Sequence, residues 1–169
     1  CASAAASPTI SDVKQLNKLV RTIRATPVTL RFYPLKGNLR IVGYPDASYK
    51  NNTDSSSQRG SIVCLAECRT PGQTWAHGSV VDYESHKIKR STLSTTVAEL
   101  YAFIMVFGTA TCLRGLWMDI SCESAPLHMR TDANNLVSTA QSTRLPEQKE
   151  TLHMIQTLRR ESMSGSIHD

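Results

Sequence analysis

One stretch limits what this chain can fold into more than any other. From Val97 to Leu116 apolar residues dominate, and Val97, Leu100, Tyr101, Ile104 and Phe107 recur at helical spacing behind Ser94, a natural cap. Glu99, Thr109, Thr111 and Arg114 break the run, so it predicts a helix buried in a core. A membrane span would need about eighteen or more uninterrupted apolar residues. A helix this apolar must be covered, and the segments before it can cover it. Residues 39–44, 61–67 and 75–83 are β-branched and apolar, separated by a polar loop at 50–60 and a Pro71-Gly72 turn, and they predict three strands. Beyond the helix, residues 126–131 predict a fourth strand and 133–140 a short helix. A last helix begins at Pro146, presents Leu152, Ile155 and Leu158 inward, and closes at Gly165. Residues 166–168 then open a fifth strand. This order predicts an α/β protein with one five-stranded mixed sheet flanked by helices.

The N-terminal part reads differently. Residues 1–9 are small and polar; Ser11 or Asp12 can cap a helix carrying Val13, Leu16, Val20 and Ile23 on one face, ended by Pro27. A short strand is expected over 28–32 and a turn over 34–38. Between Val13 and Arg40 lie seven Lys/Arg and no acid, in a chain of net charge +5, so the rest carries −2. The basic character belongs to this segment; nucleic acid is its simplest partner, and a solvated helix face the other reading. Two parts are therefore expected, a basic linker and helix over 1–36 and a folded domain over 37–169. The opening residues lack a charged start and an apolar centre, so no signal peptide is expected, and the missing initiator Met suggests a piece of something longer.

Hydrophobic residues make up 40% of the chain, enough for a core. The five cysteines are odd in number, form no C-x-x-C pair and have no histidine at ligand spacing. Reduced thiols of an intracellular protein are expected rather than zinc or a disulfide framework, and the Asn51-Asn52-Thr53 sequon is then a chance match.

Three acids stand out. Asp46 ends the first core strand, Asp132 ends the fourth, and Glu99 lies one turn inside the apolar helix. Asp132 has a second reading as a helix cap. Glu99 has none as convenient, because a charge among apolar neighbours is unfavourable unless paired or on a metal. Carboxylates brought from two strands and a helix to one sheet edge would repel, and a divalent cation relieves that. Hard oxygen donors without His or Cys suit Mg2+ or Mn2+.

The run Gly43-Tyr44-Pro45-Asp46-Ala47-Ser48, followed by a polar loop and Gln58-Arg59-Gly60, resembles the opening of the ribonuclease H domain of copia-type LTR retrotransposon polyproteins. Lys87-Ile88-Lys89-Arg90 before Ala98-Glu99-Leu100-Tyr101, then Thr131-Asp132-Ala133-Asn134, are similar to the later motifs of that family in the same order. Residues 13–35 resemble the tail of the preceding reverse transcriptase. The resemblance implies a ribonuclease H-like fold and hydrolysis of the RNA strand of RNA–DNA hybrids during reverse transcription. It implies two Mg2+ or Mn2+ ions on Asp46, Glu99 and Asp132, with Asp46 bridging. Ser48, Lys87, Lys89, Arg90 and Asn134 would contact nucleic acid; for the three basic residues a solubilising turn is the plainer reading. Expected partners are the hybrid and the reverse transcriptase of the same polyprotein, with no membrane and an intracellular setting. His168 is read as surface decoration rather than a general acid. The family also supplies a fourth acid in an Ala-Asp-x-x-Thr-Lys-like element. The sequence stops at Asp169, too early to be that residue, so a C-terminally truncated domain that cleaves weakly or not at all is expected. Two other readings remain, a non-catalytic ribonuclease H-like module of a decayed element, and a transposase or integrase core using Glu147, Glu150 or Glu161.

Overall fold

The structure, a computed structural model, describes residues 7–52, 54–68, 76–90, 92–142 and 151–163. It divides into two compact units, Cys1–Arg31 and Phe32–Asp169. The first unit holds α1 (Ile10–Ala25). The cap is Thr9 rather than Ser11 or Asp12: its hydroxyl accepts from the Asp12 N–H, and the Asp12 side chain accepts from the Thr9 N–H, a reciprocal capping box. The strand expected over 28–32 does not form. Val28 and Leu30 are left exposed, and alternation alone cannot make a strand without a neighbour to bond.

The second unit is built on β1 (Leu39–Ser48), β2 (Gln58–Glu67), β3 (Gly78–Lys87) and β4 (Leu127–Met129), with α2 (Thr95–Ser121), α3 (Asn134–Gln141) and α4 (Leu152–Met163). Sheet order is β3-β2-β1-β4. β1–β2 and β2–β3 are antiparallel, and β4 runs parallel to β1, with Ile41 opposite Leu127 and Gly43 opposite Met129. A parallel pair needs a crossover, and α2 supplies it. Four strands are thus present among the described residues. The fifth, expected at 166–168, lies outside them, as do Trp75, Pro146 and His168.

β1 runs four residues past its expected end, straight through Pro45. The last residue of β1 that pairs with β4 is Gly43, so Pro45 occupies a stretch with one open side, where a missing N–H is tolerated. β3 is also shifted, ending at Lys87 rather than Tyr83. The added residues, Glu84 to Lys87, are all polar, so an apolar pattern underestimates the strand.

Ser94 caps α2 as expected, its hydroxyl accepting from the Val97 N–H. By length and composition α2 is long and apolar enough to cross a membrane, which the interrupted sequence pattern did not suggest. Its first half instead packs on the sheet: Leu100, Phe103, Val106 and Ala110 join Ile41, Val63, Leu127 and Met129 in the core, closed by Leu136, Ile155 and Leu158. The second half is open, with Leu116, Met118 and Ile120 exposed. Close approach of α2 to β1 depends on Gly43. A Cβ there would lie 2.8 Å from Val106 Cγ1 and 2.9 Å from Met129 Sδ, so any larger residue forces these packed side chains to move. The four described cysteines, Cys64, Cys68, Cys112 and Cys122, are free thiols.

Candidate metal centre

Three elements deliver the acids. β1 carries Asp46 beyond its last contact with β4, the turn after β4 carries Asp132, and the first turns of α2 carry Glu99. One ligand oxygen from each lies within 4.8 Å of the others. Asp46 and Asp132 are exposed and Glu99 is half-buried. Its Oε2 is sealed from solvent without a hydrogen bond. An orphaned, buried carboxylate oxygen facing two further carboxylates is an unfavourable arrangement for a protein alone.

The electrostatics follow. Burial, then the charges of Asp46 and Asp132, push the Glu99 carboxyl up from its ordinary 4.5 to about 7, against a partly compensating hydrogen bond from the Ala47 N–H. A divalent cation among these oxygens would supply the missing partner and remove the repulsion at once. All-oxygen, all-carboxylate donors match Mg2+ or Mn2+, and their spacing leaves room for an ion. The residues therefore fit the group.

The remaining expected site residues separate into two groups. Asn134 opens α3 with its N–H on the Asp132 carbonyl at 2.9 Å. It lines a cavity of about 370 Å3 with Thr95, Thr96, Glu99, Asp132 and Asn135. Ser48 stands two residues beyond Asp46 on β1, opposite Gln58. Lys87, Lys89 and Arg90 lie elsewhere, lining a second cavity with Arg59, Tyr101 and Met154. Lys87 is also ion-paired to Asp54. That contact, with the Ser56 hydroxyl, holds the Asp54 carboxyl well below the usual carboxylate range.

Sequence reasoning missed the device that fixes this basic segment. Ser57 and Thr92, both buried, join hydroxyl to hydroxyl at 2.6 Å. The Ser57 hydroxyl also accepts from the Lys50 N–H, and its carbonyl accepts from the Ile88 N–H at 2.8 Å. Two hydroxyl residues in polar stretches give no signal that they will meet inside. Of the alternative late glutamates, Glu147 and Glu150 fall outside the described residues, and Glu161 bonds Arg160 on α4 rather than joining the carboxylate cluster.

An antiparallel three-strand meander, a crossover helix, a parallel strand beside the first, and carboxylates where strands and helix meet together define a ribonuclease H-like α/β fold with an acidic, cation-competent centre. Solved structures with a similar course include LC11 ribonuclease H1, isolated from compost by a metagenomic approach, at 16% identity and TM-score 0.49, covering 76% of this chain and 80% of that one. The same enzyme in complex with an RNA/DNA hybrid matches at 17% identity and TM-score 0.46, covering 74% and 78%. The ribonuclease H domain of prototype foamy virus matches at 18% identity and TM-score 0.44, covering 78% and 77%. No protein-family model matches the chain, and no curated protein matches it.

Proposed function

We propose that the second unit is a ribonuclease H domain that hydrolyses the RNA strand of RNA–DNA hybrids, using Mg2+ or Mn2+ held by Asp46, Glu99 and Asp132. The observation that carries this is the convergence of three carboxylates from separate elements within 4.8 Å, one of them with a buried, unpartnered oxygen. Bound there, divalent ions activate water and stabilise the leaving oxygen of a phosphodiester. The protein's share is to hold the carboxylates fixed, Glu99 through the Ala47 N–H and the packing of α2. The polar cavity with Thr95, Asn134 and Asn135 beside them can take sugar and phosphate without reading bases. The motif order supports a copia-type retroelement origin, with residues 1–36 as the end of a reverse transcriptase, the hybrid and that reverse transcriptase as partners, and an intracellular setting.

The test is cleavage of an end-labelled RNA–DNA hybrid in millimolar Mn2+ or Mg2+. The RNA strand is expected to be cut and duplex DNA left intact. Asp46→Asn should lower the rate at least about 100-fold, since the metal site supplies several kcal/mol of transition-state stabilisation. Hybrid binding without any Asp46-dependent cleavage would overturn the catalytic reading and leave a nucleic-acid-binding module.

A further inference from the structure

Two, five and six residues after Glu99, the side chains of Tyr101, Ile104 and Met105 emerge on the far side of α2, roughly 140–240° around the helix from the carboxylate. There they meet Met154 of α4 and the basic segment that follows β3, enclosing a cavity of about 590 Å3. It shares no residue with the carboxylate cavity.

Its walls differ in chemistry. One is cationic: Arg59 on β2, then Lys89 and Arg90. The other is soft and apolar: Tyr101, Met105 and Met154. No acid lines it. Arg59 is neutralised by Glu84 at 3.3 Å and Lys87 by Asp54, while Lys89 and Arg90 make no ion pair among the described residues. They are not on a loose loop, because the buried Ser57–Thr92 bond and the Ile88–Ser57 backbone bond bracket them. Two exposed cations with no ion pair among the described residues, on a backbone bracketed by these bonds, call for an anion. Met105, 47% exposed on the opposite wall, calls for something flat and apolar to cover it. Inorganic phosphate would answer the first demand and leave the second wet. An acyl chain would answer the second, but Arg59, Lys87, Lys89 and Arg90 line the same cavity.

We propose that this cavity is a second nucleotide site, with the phosphate on Lys89 and Arg90 and the base against Tyr101, Met105 and Met154. Arginine and lysine suit the phosphate, and thioether and ring faces suit a base without selecting its edge. The proposal rests on the nucleic-acid reading only for the nucleotide's source, which is either one unit of a bound strand or a free nucleoside phosphate.

The experiment uses the full chain with 13C-labelled methionine methyl groups, titrated separately with adenosine monophosphate and a short single-stranded oligonucleotide. The Met105 and Met154 resonances are expected to shift, while Met129, buried against Gly43, stays. Movement with the oligonucleotide alone identifies a strand as the source; movement with both admits the free nucleotide. Lys89→Gln with Arg90→Gln should weaken binding about threefold to tenfold and lower its salt dependence. Met105→Glu, at an exposed position that should not disturb folding, should weaken it comparably. Asp46→Asn should leave the methyl shifts unchanged, so failure of the cleavage reading and failure of this one are distinguishable. Binding that leaves both methyls unmoved, equal shifts from inorganic phosphate, or shifts from anionic phospholipid vesicles but not from nucleotides would each overturn the proposal.

Discussion

The two sides of α2 near its start differ in what they demand of the fold. On the Glu99 side, three carboxylates crowd within 4.8 Å, and one is held near neutral pKa because its charged form is disfavoured. On the Tyr101 side, Arg59 and Lys87 are ion-paired, and Lys89 and Arg90 are exposed to solvent. The acidic side stores repulsion that only a bound cation or a proton relieves; on the basic side Arg59 and Lys87 already have acidic partners. Ligands should therefore change stability unequally. Saturating the first should be felt throughout the unit, and saturating the second should be felt mainly in the ligand's own affinity.

The largest effect expected is from metal. Raising Mn2+ to about one hundred times its Kd should stabilise the unit by about 2.7 kcal/mol, roughly 5–10 °C in Tm for a chain of this size. Asp46→Asn should remove that shift, whereas Lys89→Gln with Arg90→Gln should leave it whole. A Tm unmoved by Mn2+, or moved equally in Asp46→Asn, would erase the contrast between the two sides.

Next comes the staple under the basic segment. Ser57→Ala leaves the buried Thr92 hydroxyl and the Lys50 N–H without their partner, an expected loss of about 1–3 kcal/mol in chemical denaturation. Nucleotide binding on the basic side should weaken with it, while the Mn2+ shift persists.

The smallest effect is on pH. Glu99 has a folded pKa of about 7 against an ordinary 4.5, so the folded chain holds its proton where the unfolded chain has released it. Its contribution is full below about pH 4.5 and is lost as pH rises through 7. Metal-free stability should decline over that interval. Because Glu99 is only half-buried, the decline should be under about 1 kcal/mol. Glu99→Gln should flatten it, and a wild-type profile that rises instead would show that repulsion does not dominate this side.

Much of the acidic side was legible in the sequence because its signal is local. An acid among Val97, Ala98 and Leu100 is an anomaly in one dimension, and Asp46 and Asp132 stand where composition ends a strand, although β1 continues two residues beyond Asp46. The basic cavity was not legible. Arg59, Tyr101 and Met154 belong to three elements, each looks ordinary in its own segment, and only packing assembles them. The same reason explains the boundary errors. β3 extends to Lys87 because β2 offers it a bonding edge, from Gln58 opposite Lys87 onward, while residues 28–32 have the alternation but no such edge.

Gly43 sets a mechanical tolerance. With no side chain between β1 and Val106 of α2, the gap from strand to helix is at its minimum, and that gap carries Asp46 on one jaw and Glu99 on the other. A single methyl at position 43 acts as a shim three residues below Asp46, and the Val106 and Met129 side chains must give way to it. The calibre of the carboxylate cage is thus machined at a position that bears no charge. Widening it favours the larger, more loosely coordinated Ca2+ over Mg2+, which insists on short and regular contacts. Ion selectivity at the proposed site would then depend on a helix–strand bearing as much as on the acids it aligns.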